Sequence, residues 1–198
     1  MEQFLYHASS QQCIHIGASL TVGSFFLSDI ITGYEAENPN VNIRVYIDNS
    51  MNIIRKISEG TLDVAVIEGN VKTKDVIFKD IFEDEMVLIC GKTHPFAGRS
   101  SINLTDLAGK AFVLREEGSG TREFLTDLTE NRGIPIVEKW ICHSSDSIIN
   151  IVASGQGVSI LSKSLLRHHD EVNQIAINDF PLKRSFKICL LYTSDAAD

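Results

Sequence analysis

The sequence contains no run rich in lysine or arginine. Its 18 basic residues are outnumbered by 26 acidic ones, which gives a net charge of −8 at pH 7. Proteins that bind nucleic acid need a concentrated basic surface to meet the phosphates. We therefore expect the chain itself not to bind DNA, and its acidic balance also argues against binding to an anionic membrane surface. A small ligand responds to the charge of its own site, so the net charge does not exclude one.

Cysteine is sparse and scattered. Cys13, Cys90, Cys142 and Cys189 form no CxxC pair and have no histidine at metal-ligand spacing. This pattern predicts neither a disulfide framework nor a metal site, and it favours free thiols in a reducing cytoplasm. Residues 1–7 lack the basic start and apolar stretch of a signal peptide, and no apolar run approaches the roughly 20 residues of a membrane helix. We expect a cytoplasmic protein with no membrane contact.

Strands and helices alternate along the chain, which is typical of α/β lobes. Residues 41–47 alternate apolar and polar side chains as a half-buried strand does, whereas residues 62–67 form the apolar run of a central parallel strand. The alternation of strands and helices begins again after residue 91. A chain of 198 residues is long enough for two small lobes with real cores. The sequence therefore predicts an α/β fold of two Rossmann-like lobes with mostly parallel sheets.

Several finer elements are also predicted. Residues 22–37 read as one helix, because apolar side chains recur on one face before Asn38-Pro39. Residues 76–78 and 85–90 read as two separate strands. Two short helices are predicted, at residues 103–108 and 164–168.

Four turns between a strand and a helix are rich in hydroxyl groups or glycine. They lie at residues 19–21, 49–50, 118–122 and 144–147. A helix start carries unpaired N–H groups and about half a positive charge, so several such starts around one cleft make a socket for a small polar or anionic metabolite. The candidate ligand contacts in these turns are Ser19, Thr21, Ser50, Ser119, Gly120, Thr121, Arg122 and Ser145. Glu68, which follows the third strand, is a further candidate that would repel a simple dianion.

Each candidate has a plainer reading. The hydroxyls of Ser19, Thr21 and Ser50 could only cap their helices, which stabilises a helix by roughly 1 kcal/mol. The guanidinium of Arg122 could fork to a ligand carboxylate or sulfate, or it could pair with Glu116 or Glu123. Glu68 could be a solvated loop residue, or its carboxylate could pair with a neighbouring cation.

Enzyme signatures are weak in this chain. The turn at residues 118–122 is neither GxGxxG nor GxSxG, and the sequence offers no Ser-His-Asp arrangement with local support and no P-loop lysine. We expect no catalytic residues and no cofactor. Two alternatives stay open: a solute-binding protein of a transporter, and an enzyme similar to prephenate dehydratases, whose Thr-Arg-Phe motif resembles Thr121-Arg122-Glu123-Phe124.

Seven stretches, in this order and spacing, resemble the effector-binding domain of LysR-type transcriptional regulators. They are IGASLT at 16–21, YEAENPNV at 34–41, GTLDVAV at 60–66, DEMVLI at 84–89, HPF at 94–96, REEGSGTR at 115–122 and VASGQGVSIL at 152–161. The resemblance implies a fold like that of type 2 periplasmic binding proteins, with a small effector held between the lobes. It also implies a homodimer or tetramer formed through the first helix and second strand, and DNA binding only through a winged helix-turn-helix that this chain lacks.

The resemblance also suggests how the chain divides. We expect residues 1–12 to be the remnant of a linker, residues 13–90 with 187–198 to form lobe I, and residues 91–186 to form lobe II. The family continues beyond residue 190 with another helix, whereas residues 192–198 here read like an unrelated tail.

Overall fold

A computed structural model describes residues 12–69, 71, 73–178, 180 and 182–192. Residues 1–11 of the predicted linker and residues 193–198 of the predicted tail lie outside the described residues. Gln12 already belongs to the first strand.

The first lobe is built from the amino-terminal third of the chain. Its elements are β1 (Gln12–Ser19), α1 (Leu20–Phe25), α2 (Leu27–Glu37), β2 (Val41–Asp48), α3 (Ser50–Ser58) and β3 (Val64–Glu68). β1 lies between β2 and β3 and pairs parallel with both. Because the three strands run in one direction, their carboxyl ends at Ser19, Asp48 and Glu68 meet at the same edge of the sheet.

Two long strands link the lobes. They are β4 (Val76–Gly91) and β10 (Lys183–Leu191), which pair antiparallel with each other. β10 also pairs with β3 in the first lobe, while the later part of β4 continues into the sheet of the second lobe. The two strands predicted at 76–78 and 85–90 are therefore one strand. The polar residues between them, such as Asp80, pair across to β10, where Lys187 Nζ lies 2.6 Å from Asp80 Oδ1.

The second lobe repeats the plan of alternating strands and helices. Its elements are β5 (Ser101–Ile102), β6 (Ala111–Arg115), α4 (Gly120–Glu130), β7 (Val137–Cys142), α5 (Ser145–Ala153), β8 (Val158–Ser162) and β9 (Val172–Ile177). β6 pairs parallel with β7 and β8, while β8 and β9 pair antiparallel with β4. The predicted short helices are 3-10 helices at Leu104–Leu107 and Lys163–Leu166.

The helices cover the sheets with apolar faces. In the first lobe, Ile53 and Ile57 of α3 are fully buried against Ala65 and Ile67 of β3. The spacing of 53 and 57 places both side chains on one face of the helix. The predicted α/β fold with two lobes is confirmed, and the alternating pattern of the sequence is the reason it could be predicted.

The predicted helix at residues 22–37 is divided into α1 and α2. Phe26 separates them with φ −110° and ψ −30°. Its ring lies 4.9 Å from the ring of Phe82 and 5.3 Å from that of Phe186, measured between centroids. Packing of this aromatic side chain against the linking strands accompanies the break, and periodicity alone could not reveal it.

Within the described part of the chain, no helix is long and apolar enough to cross a membrane.

Candidate ligand site between the lobes

Glu68 lies at the centre of the first lobe's candidate residues. It ends β3, and its carboxylate accepts hydrogen bonds from the hydroxyls of Ser19 and Thr21, the latter at 3.0 Å. All three residues are buried. Ser19 occupies the N-cap position of α1 but makes no side-chain capping bond. The plainer reading of Ser19 as a helix cap is therefore wrong in this conformation, and so is that of Glu68 as a solvated loop residue.

The backbone of Glu68 is held as well. The hydroxyl of Ser50 donates to the carbonyl oxygen of Glu68 at 2.8 Å. Capping of α3 falls instead to Asn49, whose side chain accepts from the amide of Asn52 at 2.9 Å. The predicted residues Ser19, Thr21, Ser50 and Glu68 thus form one hydrogen-bonded group at the edge of the first lobe.

Arg184 of β10 joins this group to the second lobe. Its Nη1 donates to Thr121 Oγ1 at 3.0 Å and lies 3.9 Å from Glu68 Oε1, while its Nε donates to Asp84 Oδ2 at 2.8 Å. One guanidinium therefore touches both lobes and the linking strand β4. We call these residues the interlobe cluster: Ser19, Thr21, Glu68, Asp84, Thr121 and Arg184.

The interlobe cluster carries unbalanced charge and a donor that has no partner among the described residues. It holds two buried carboxylates against one buried guanidinium. Arg184 Nη2 is buried, and among the described residues it has no hydrogen-bond partner. The same is true of Nη1 of Arg115, whose other nitrogens bind Glu116 at 2.8 Å. Buried polar atoms usually have partners, so these two donors mark places where a further acceptor fits the chemistry.

The lobes touch beside the cluster. The amide of Met51 in α3 donates to the carbonyl of Gly118 at 3.0 Å. A Cβ atom built on Gly120 would overlap the carbonyl oxygen of Glu68 and lie 2.7 Å from its carbonyl carbon. Glycine at 120 therefore allows backbone from the second lobe to approach Glu68 closely. Ser119 is buried and caps α4, accepting from the amide of Thr121 at 3.3 Å.

Ser50, Ser119 and Gly120 lie against residues of the cluster, whereas the side chains of Arg122 and Ser145 lie away from it. Arg122 Nη2 donates to Glu138 Oε1 at 2.7 Å, and its Nη1 donates to the carbonyl oxygen of Arg115. Its partner is thus neither Glu116 nor Glu123, and contact with a ligand would require the pair with Glu138 to open. Ser145 borders a cavity of about 400 Å³ between the lobes, lined also by Leu20, Phe25, Asp146 and Arg167.

A second cavity between the lobes, of about 470 Å³, is lined by Met51 of α3, by Gly118 and Ser119 in the turn before α4, and by Arg122 of α4, among others. The candidate turns of both lobes thus face shared hollows as well as the cluster.

The sequence interpretation missed Asp84, Ser162 and Arg184. Ser162 donates to Asp84 Oδ1 at 2.6 Å. In the sequence, the one feature that marks these three residues is a polar side chain next to an apolar stretch of strand.

None of the four cysteines belongs to the interlobe cluster. All four are free thiols, and no group of three metal-ligating side chains occurs among the described residues. Burial raises the pKa of the Cys90 and Cys142 thiols and raises that of Cys189 to about 12. These three thiols therefore stay protonated at neutral pH and react slowly, because the thiolate is the nucleophile.

Comparison with known proteins matches the chain to one protein family. The profile of the LysR substrate binding domain matches residues 7–198. The HTH-type transcriptional regulator CysL of Bacillus subtilis is 32% identical over 186 residues, which cover 92% of this chain and 62% of CysL. The chain therefore spans less than two thirds of the length of that regulator.

Solved structures agree on the fold. The regulatory domain of CcmR from Synechocystis PCC6803, solved in complex with 2-PG, has a TM-score of 0.84 at 23% identity, covering 92% of this chain and 89% of that one. The effector binding domain of QuiR, in complex with shikimate, has a TM-score of 0.83 at 21% identity, covering 93% and 90%.

Proposed function

This chain belongs to the LysR substrate binding domain family, and on that premise we propose that it binds a small polar or anionic metabolite at the interlobe cluster. The observation that carries the proposal is the position of Arg184, which contacts Glu68 of the first lobe and Thr121 of the second. The proposed contacts are Ser19, Thr21, Ser50, Glu68, Ser119, Gly120 and Thr121, with Arg122 and Ser145 at the borders.

The proposed mechanism is a change in the balance between lobe arrangements. A ligand that touches both lobes favours the arrangement in which it makes more contacts. In an intact regulator this preference would be transmitted to a DNA-binding module outside the matched region. Such coupling typically amounts to about 1–3 kcal/mol, enough for a several-fold to hundredfold change in affinity.

We further propose that the chain is a cytoplasmic binding unit and not an enzyme. Relatives named as transcriptional regulators support this reading over a transporter's solute-binding protein or a prephenate-dehydratase-like enzyme. We also propose the division with residues 13–90 and 187–198 in lobe I and 91–186 in lobe II. The pairing of β10 with β3 supports the return of the chain to lobe I, whereas residues 86–90 pair with β8 and β9 and so belong by pairing to the sheet of lobe II.

We propose a homodimer that covers two apolar edges. β2 lies at one end of the sheet order, with Tyr46 and Ile47 exposed, and Ile30 on the neighbouring α2 is 57% exposed. β7 lies at the other end, with Trp140 and Ile141 exposed. A two-fold axis that lays the first edge of one copy on the second edge of its partner buries both at once.

Ile30→Asp is expected to shift the protein from dimer to monomer, because it places a charge in an apolar contact. Sedimentation velocity of the variant measures the change. Ile81→Asp, at another exposed isoleucine on β4, is the matched control and is expected to leave the mass unchanged. A dimer of wild-type affinity in the Ile30 variant would contradict this interface.

A thermal-shift screen against a panel of carboxylates, phosphorylated metabolites and amino-acid derivatives tests the binding function. A ligand at 100 times its Kd adds about 2.7 kcal/mol of stability. At this chain length that corresponds to a rise in Tm of roughly 5–10 °C. The ligand should be recovered unchanged after incubation. Its conversion would favour an enzyme, and a flat panel would count against effector binding.

A further inference from the structure

Two hydroxyl groups of the first lobe already donate to an anionic group that the chain itself supplies. Ser19 Oγ donates to Glu68 Oε2 and Thr21 Oγ1 donates to Glu68 Oε1. Each carboxylate oxygen of Glu68 therefore accepts a hydrogen bond from one hydroxyl group. Glu68 is only 1% exposed, so these bonds are shielded from bulk solvent.

We propose that Glu68 is a built-in selectivity filter in the cleft. It occupies the place of a ligand's anionic group at the turn after β1, so that the cleft rejects fully deprotonated oxyanions. The ligands it accepts carry a proton donor toward Glu68 and an acceptor toward Arg184. This inference rests on the proposed function, since it concerns the same cleft.

The hydrogen-bond inventory supports the filter. A hydroxyl has one proton to donate, and an ionised carboxylate can only accept. With the protons of Ser19 and Thr21 directed to Glu68, a ligand atom placed against Glu68 has to bring its own proton. Near neutral pH sulfate has none, whereas hydrogen phosphate, a hydroxy acid or an amine has at least one.

The charge of the cluster also disfavours an unprotonated anion. Glu68 and Asp84 supply two negative charges within reach of one guanidinium, at 3.9 Å and 2.8 Å from Arg184. Arg184 is therefore already neutralised, and an added unprotonated anion meets repulsion from Glu68. The donor left for a ligand's acceptor is Arg184 Nη2, which has no partner among the residues that the structure describes.

Titration of Glu68→Gln with sodium sulfate tests the filter by calorimetry. The variant keeps the shape of the side chain, removes its charge and adds an amide donor. We expect sulfate to bind it at least ten times more tightly than it binds the wild type. Glu130→Gln removes the same charge from an exposed position at the end of α4, and it is expected to leave sulfate affinity unchanged.

Equal sulfate affinity in wild type and Glu68→Gln would overturn the proposal, as would an equal gain in Glu130→Gln. Glu68→Ala is the second variant, used if Glu68→Gln shows no cooperative unfolding. Failure of both to fold also overturns it, because a filter is not required for folding. Failure of the proposed function looks different: no panel compound would then stabilise the wild type, whatever sulfate does to the variants.

Discussion

Arg184→Met is expected to lower the free energy of unfolding by about 3–5 kcal/mol, because it leaves Glu68 and Asp84 as buried carboxylates without their cation. Both carboxylates are buried, and Arg184 is the guanidinium that contacts them. Domains of this kind have a total stability of about 5–15 kcal/mol, so the variant should lose a large part of it. Urea unfolding of the dilute protein measures the difference.

The matched control is Arg55→Met in α3. Arg55 pairs with Glu59 at 4.0 Å, and both side chains are largely exposed. An exposed pair of this type contributes about 0.3–0.5 kcal/mol, so the control should unfold close to the wild type. A loss below about 1 kcal/mol in Arg184→Met would mean that the interlobe cluster does not depend on this guanidinium.

Gly120→Ala is expected to weaken binding of any ligand that needs the lobes closed, by roughly 5- to 150-fold. The added Cβ would overlap the carbonyl oxygen of Glu68. This oxygen belongs to the backbone, so no side-chain rotation can relieve the overlap. Overpacking of this kind costs about 1–3 kcal/mol, and each 1.4 kcal/mol is a factor of ten in affinity. Calorimetry gives the affinity, and small-angle scattering should show a larger radius of gyration as the lobes separate.

Gly33→Ala in α2 controls for the loss of a glycine. A Cβ on Gly33 meets nothing within 4 Å, so this variant should bind as the wild type does. It should also gain roughly 0.5–1 kcal/mol of stability, since alanine favours the helix. Wild-type affinity in Gly120→Ala would show that the close approach of the lobes is unnecessary for binding.

Much of the first lobe's part of the site follows from the sequence. Ser19, Ser50 and Glu68 each stand at or just after the carboxyl end of a parallel strand, and neighbouring parallel strands bring such ends together. Glycine at 120 in a helix-opening turn likewise indicates close backbone approach. These inferences need only strand order and the direction of the chain.

The part that joins the lobes does not follow from the sequence. Arg184 and Asp84 lie 100 residues apart, and their contact depends on the antiparallel pairing of β4 with β10. Local periodicity carries no information on that pairing. Arg122 was equally ambiguous, because its partner Glu138 lies on β7 and becomes a neighbour only when β7 pairs with β6.

The most direct test of the account is calorimetry with a ligand found in the panel, using one variant from each lobe. Ser19→Ala removes the hydroxyl that positions the carboxylate of Glu68, and Thr121→Ala removes the oxygen that accepts from Arg184, at a cost of about 0.5–3 kcal/mol per lost hydrogen bond. Both variants should bind the ligand more weakly while still unfolding cooperatively, and Thr121→Ser should recover most of the affinity. Unchanged affinity in both alanine variants would contradict binding between the lobes.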